Sequence, residues 1–119
     1  MKNIVYLMLD EKKDFALFKV GFTSNLAQRL SQYTTHNPLT RAIDTVVTYG
    51  KTKRTVENKF HEEVKKRGYD FVVATADGKT TEWFKVDYTD KFYNELKENG
   101  LRAFDTGKNR KSSGEIKAD

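Results

Sequence analysis

The chain has 119 residues, 37% of them hydrophobic, and 22 Lys and Arg set against 17 Asp and Glu give a formal net charge of +5. That length suits one domain, and the absence of cysteine excludes a disulfide framework and Cys-based zinc sites. No apolar run reaches transmembrane length, and Met1-Lys2-Asn3 leads into strand-like sequence rather than a signal peptide, so the expectation is a soluble cytoplasmic protein with no membrane partner.

A sequence pI near 9.3 favours an anionic partner, nucleic acid first. Moderate positive charge is also common on ordinary solvated surfaces, so charge alone does not decide the matter.

Residues 3–9 and 15–22 are apolar and rich in branched or aromatic types, and the polar run Asp10-Glu11-Lys12-Lys13-Asp14 separates them. This predicts an antiparallel hairpin. If Met8 pairs with Leu17, Tyr6 lies opposite Lys19 and the two share a sheet face. A slip of one residue turns Lys19 to the other face. Gly21 permits a positive φ or a close backbone approach. Ser24 or Asn25 caps the next helix, in which Leu26, Leu30 and Tyr33 form one buried stripe. Arg29 falls at the edge of that stripe, beside Tyr33. An edge arginine commonly just snorkels.

Thr34 to Thr40 reads as a loop, and residues 42–49 read as a third strand. Lys51 to Arg67 reads as a helix with Val56, Phe60 and Val64 inward and Gly68 as its stop. Glu57 borders that apolar stripe, and His61 follows one turn later on the same side. A border glutamate is usually solvated or paired. Residues 69–73 are extended, Asp77-Gly78 marks a turn, and Thr81 to Val86 returns as a strand. Asp87 or Thr89 caps a last helix that runs to about Asn99. From Asp105 the chain turns polar without apolar periodicity, which predicts a domain over 1–104 and a flexible tail over 105–119.

These pieces, in this order, resemble the GIY-YIG nuclease superfamily. Tyr6 in Val5-Tyr6-Leu7 matches the first motif, and Lys19-Val20-Gly21 matches the second, with Lys19 in place of its tyrosine. Arg29 matches the helical arginine eight residues after the glycine. Glu57 in Val56-Glu57-Asn58-Lys59-Phe60-His61 matches the helical glutamate. The Lys-Val-Gly form, the Glu-x-x-x-His helix and Glu82-Trp83-Phe84 look like a short branch found in phages and bacteria, often described as a DNA-binding domain. An asparagine that closes the family site has no clear match, although Glu82 and Asn94 are nearby candidates.

The resemblance implies an α/β (α+β) fold, with a small three-stranded antiparallel sheet flanked by about three helices. It implies a DNA endonuclease using one divalent ion, Mg²⁺ or Mn²⁺, held by Glu57, in a bacterial or phage-infected cell. Glu57 would place the ion against the leaving oxygen. Arg29 would grip the non-bridging phosphate oxygens, and Tyr33 would bond a phosphate or the attacking water. The base is either Tyr6, whose ordinary pKa of about 10 needs a neighbouring cation to lower it, or a neutral Lys19. His61 would support Glu57. Lys51, Lys53, Arg54 and Lys59, with Lys65, Lys66 and Arg67, would hold double-stranded DNA electrostatically. Double-strand cutting would need a homodimer or sequential nicking. The alternative is a DNA-binding module or inhibitor that has weakened or lost turnover, a reading favoured by Lys19 and the missing asparagine.

Overall fold

The polar run at residues 10–14 reverses the chain between β1 (Lys2–Glu11) and β2 (Phe15–Thr23). Lys12 N closes the turn by donating to Phe15 O at 2.9 Å. The computed structural model describes residues 2–36, 39–49, 53–74 and 76–104, without the side chains of residues 2, 36, 49 and 53–57. The proposed tail at 105–119 lies outside the described residues.

The hairpin register pairs Tyr6 with Gly21, Met8 with Lys19 and Asp10 with Leu17. It differs by two residues from the expected pairing. Side chains alternate with a period of two, so a two-residue shift leaves every side chain on its expected face. Tyr6 and Lys19 therefore share a face, diagonally rather than directly opposite.

Gly21 explains the register. A Cβ there would stand closer than 3.0 Å to Cζ, Cε1 and the hydroxyl oxygen of Tyr6. The tyrosine ring lies across the glycine, and no other residue leaves it that space. Gly21 is not at positive φ, and β2 runs on through it to Thr23. Of its two expected uses, close approach is the one realised.

The sheet has five antiparallel strands in the order β3-β1-β2-β5-β4, with β3 at Arg41–Tyr49, β4 at Phe71–Val73 and β5 at Thr80–Asp87. This overturns the expected three-stranded sheet, while the α+β class stands. The segments that became β4 and β5 read locally as extended and pair with each other, but the place of that pair in the sheet is set by the non-local pairing of β5 with β2. β5 runs along β2 from Phe15↔Asp87 to Lys19↔Trp83. Three helices flank the sheet: α1 (Leu26–His36), α2 (Lys53–Lys66) and α3 (Lys91–Asn99).

The helix starts follow side-chain caps. Asn25 Oδ1 accepts from Gln28 N at 3.1 Å before α1. Asp90, not Asp87 or Thr89, caps α3 by accepting from Phe92 N at 2.9 Å. Asp87 instead binds the Thr89 amide and hydroxyl. Gly100 ends α3 at φ 61°, and a buried 3₁₀ segment, Gly100–Phe104, follows.

One face of the sheet carries the main core. Leu7, Leu9, Ala16, Phe18, Val20, Phe84 and Val86 pack against Val64 of α2, Phe92 and Leu96 of α3, and Leu101, Ala103 and Phe104. Phe84 is at its centre, with the rings of Phe18, Tyr69, Phe71, Phe92 and Phe104 at 6.0–6.5 Å, a spacing that favours offset and edge-on pairs. At the far end of the hairpin, Glu11 draws three elements together. It accepts from Tyr93 at 2.6 Å, Arg41 at 3.0 Å and Lys97 at 3.3 Å. Among the described residues, no helix is long and apolar enough to cross a membrane.

Two stability measurements check this account. Gly21→Ala should destabilise the fold by about 1–3 kcal/mol, the usual cost of overpacking. In denaturant unfolding its effect should be non-additive with Tyr6→Ala, which removes the ring it strikes. Additive effects would show that the two residues do not meet.

Glu11 supplies a pH signature. Bonds from Tyr93 and Arg41, and then Lys97, pull its pKa from 4.5 down to about 2. The folded state thus favours the carboxylate. Its contribution is complete above the unfolded value and is lost as pH falls from about 4.5 through about 2. The stability gap between wild type and Glu11→Gln should be full near neutrality and close over that acid window.

Candidate functional site

The face opposite the main core carries Tyr6, Met8 and Asp10 from β1, Leu17, Lys19 and Gly21 from β2, and Trp83 from β5. Helix α1 reaches this face through Tyr33. Its hydroxyl is 3.3 Å from that of Tyr6 and accepts a hydrogen bond from Lys19 Nζ. Lys19 Nζ also pairs with Glu82 Oε1 at 3.2 Å. The result is a polar chain, Tyr6–Tyr33–Lys19–Glu82, running from the interior outward. Tyr6 is 2% exposed, while the side chains of Lys19 and Glu82 are 13% and 41% exposed.

Burial, then the bond to Tyr33, pushes the Tyr6 phenol well above the ordinary tyrosine range. The Arg29 charge acts in the opposite direction but does not prevail. That is the reverse of the lowering a tyrosine base needs. Arg29 nevertheless joins the cluster electrostatically, and its side chain has no hydrogen bond or ion pair among the described residues. The structure thus brings Tyr6, Lys19 and Tyr33 into contact, with the Arg29 charge near enough to act on Tyr6.

Other expected residues fall elsewhere. The backbone of Glu57 lies in α2 one turn before His61, but its side chain is outside the described residues, as are those of Lys53 and Arg54 and the whole of Lys51. Lys59 is exposed on α2. Arg67 has a structural task. Its guanidinium donates to the carbonyls of Ala103 and Phe104, both at 3.1 Å, and stacks 4.7 Å from the Phe92 ring. It is not available to DNA. Asn94 is on α3, which packs on the core face, so it does not join the site.

Glu82 and Trp83 are the residues that sequence reasoning left without a role. The tripeptide Glu82-Trp83-Phe84 was the available signal. Alternation sends Phe84 into the core and Trp83 to the site, where its ring meets Tyr33 edge-on at 6.1 Å. Glu82 also lines a cleft of about 440 Å³ with His61, Lys65 and Phe71. There the buried Nε2 of His61 has no hydrogen-bond partner among the described residues.

The chain matches the T5orf172 domain over residues 3–99. It belongs to the T5orf172 domain family. This domain is often associated with GIY-YIG nuclease-containing proteins, but the match is not to the catalytic GIY-YIG domain or to a Lys-Val-Gly branch of it. No curated protein and no solved structure matches the chain.

The described residues of this T5orf172 domain offer a divalent ion few ligands. His61 and Glu82 offer an imidazole nitrogen and a carboxylate in one cleft, but Glu82 is already engaged by Lys19. No group of three or more His, Asp or Glu side chains that could hold an ion occurs among the described residues. The described donors alone do not make up a site for an ion.

The state of Tyr6 is open to direct measurement. Exposed phenols ionise near pH 10, but Tyr6 should keep its proton until the protein unfolds. In an alkaline absorbance titration, wild type and Tyr6→Phe should release the same number of protons from phenols near pH 10. A missing early phenol in Tyr6→Phe would mean that Tyr6 ionises readily.

Proposed function

We propose that this T5orf172 domain is a DNA-binding module that grips a backbone phosphate at Arg29, Lys19 and the Tyr33 hydroxyl, with phosphodiester hydrolysis weak or lost. The polar chain on the site face carries this reading. A general base must hold an accessible lone pair near the operating pH. Tyr6 is buried with a raised pKa, and the ammonium of Lys19 is held by Glu82 and Tyr33. Neither residue is arranged to deprotonate water. Both cations suit an anion: Arg29 offers a planar fork, and Lys19 is a point charge that can exchange Glu82 for phosphate. The net charge of +5 and exposed Lys59 and Lys65 support a wider electrostatic footprint.

A second reading, a metal-dependent endonuclease related to GIY-YIG enzymes, is favoured by one observation. Tyr6, Lys19 and Tyr33, three of the site residues expected from sequence, meet on one face, and the charge of a fourth, Arg29, acts on Tyr6. In that reading Glu57 would hold Mg²⁺ or Mn²⁺, and the ion would stabilise charge on the leaving oxygen.

Anisotropy with labelled duplex DNA, followed by plasmid cleavage across a Mn²⁺ titration, separates the two. The module reading expects metal-free binding that weakens with salt. Arg29→Ala should lower affinity by about tenfold or more, the loss of a charge-assisted contact. Glu57→Gln should bind as well as wild type. Absence of DNA binding would sink this reading. Cleavage by wild type that Glu57→Gln abolishes would establish the second.

A further inference from the structure

The polar chain does not use the whole of the site face. Next to it lies a smaller pocket of about 250 Å³, lined by Leu17, Tyr33, Val72 and Trp83, with Asp10 and Thr40 at its polar margin. We infer that this pocket takes one unstacked nucleobase from a DNA strand whose phosphate is held at Arg29, Lys19 and the Tyr33 hydroxyl. The inference rests on the DNA-binding reading above and specifies how the strand is engaged.

Size is the first argument. Pockets for drug-sized ligands run to about 300–1,000 Å³, so this one suits a single ring system. Shape is the second. Tyr33 and Trp83 meet at 86° with centroids 6.1 Å apart, forming an aromatic corner. A third flat ring can lie face-on to one wall and edge-on to the other, the two arrangements that aromatic quadrupoles favour.

Charge is the third argument, and it orients the ligand. Tyr33 belongs to both sites: its hydroxyl meets Lys19, while its ring walls the pocket. Lys19 pairs with Met8 across the hairpin, and Asp10 lies two residues further along β1. That displacement is about 7 Å along the strand. Cations therefore stand at one end and a carboxylate at the other. A phosphate is drawn to Lys19 and Arg29, and the Asp10–Lys12 pair at the other end offers it no net positive charge. A base is neutral and carries N–H donors, which a carboxylate accepts. Asp10 is paired with Lys12 at 3.1 Å, which offsets its charge, so the preference for phosphate comes from the Lys19 and Arg29 end. The Thr81 hydroxyl, also in the lining, is occupied by Val72 O and Trp83 N. The remaining surface is mainly apolar and aromatic, which is what base stacking uses and why it tolerates any base.

A paired base cannot enter such a corner without leaving its stack. The pocket thus favours single strands, unpaired positions and duplex ends over continuous duplex.

Trp83 is the chain's one tryptophan, so its fluorescence reports on the pocket directly. Probes are a short single-stranded DNA oligomer, an abasic oligomer of the same length, the fully paired duplex and a free mononucleotide. The base-bearing strand should quench Trp83 and bind about tenfold tighter than the abasic strand, as expected for one stacked base. The mononucleotide should bind far more weakly than the strand. Val72→Phe, which fills the pocket from the short outer strand β4, should bring the base-bearing strand down to the abasic affinity and leave abasic binding unchanged. Equal affinity for base-bearing and abasic strands, with Trp83 fluorescence unmoved, overturns the pocket while leaving phosphate binding intact. A mononucleotide that binds as tightly as the strand also overturns it. Failure of every probe to bind removes the DNA-binding reading and this inference with it.

Discussion

The contact on which the site depends is a tyrosine ring lying over a glycine. Tyr6 and Gly21 are directly paired across β1 and β2, and the ring occupies the volume a side chain at 21 would need. This locks the hairpin register at its centre. The register in turn places Lys19 one step along the same face, within reach of the Tyr33 hydroxyl that Tyr6 also meets. Without the glycine the ring must move, and the polar chain loses its inner end.

The two sheet faces divide the work. One is sealed by α2, α3 and the buried 3₁₀ segment around Phe84, where aromatic rings supply most of the burial. Its rigidity is reinforced at the edges by Arg67, which ties α2 to the chain after α3, and by Glu11, which ties β1 to β3 and α3. The other face is met by the amphipathic helix α1 and keeps polar groups among apolar ones. Burial there is graded, complete at Tyr6 and shallow at Glu82. A face of that kind can receive a ligand at its outer end while its inner end stays fixed.

The pairing of Lys19 with Glu82 gives the site its character. A lysine beside a buried phenol resembles part of a hydrolytic apparatus when read along the chain. In three dimensions the lysine has an anion of its own and the phenol retains its proton. In the proposed binding role, the groups offered to a phosphate are a guanidinium without an ion pair among the described residues, an exchangeable ammonium and a hydroxyl. Trp83 and Tyr33 extend the same surface with aromatic walls. Both features are built on strand and helix positions rather than loops.

By itself the amino-acid sequence determined the local elements, and it left two faces open for Lys19, one for each parity of the hairpin register. In the expected register alternation placed Tyr6 and Lys19 together, and this survived a two-residue error in register because the strand period is two. Helical spacing brought Arg29 and Tyr33 to the same helix edge, and Asn25 and Gly100 marked helix ends through their own capping chemistry. The tertiary structure alone decided what those residues meet. Sheet width was one such decision, since β5, which carries β4 with it, pairs with β2 far away in the chain and no local pattern encodes that choice. The partner of Lys19 was another, because Glu82 reaches it only once β5 lies beside β2. Arg67 became a structural tie in the same way, as it meets carbonyls more than thirty residues later. Periodicity reports which way a side chain points, whereas an ion pair, a pKa or a pocket depends on neighbours that only the folded chain brings into contact.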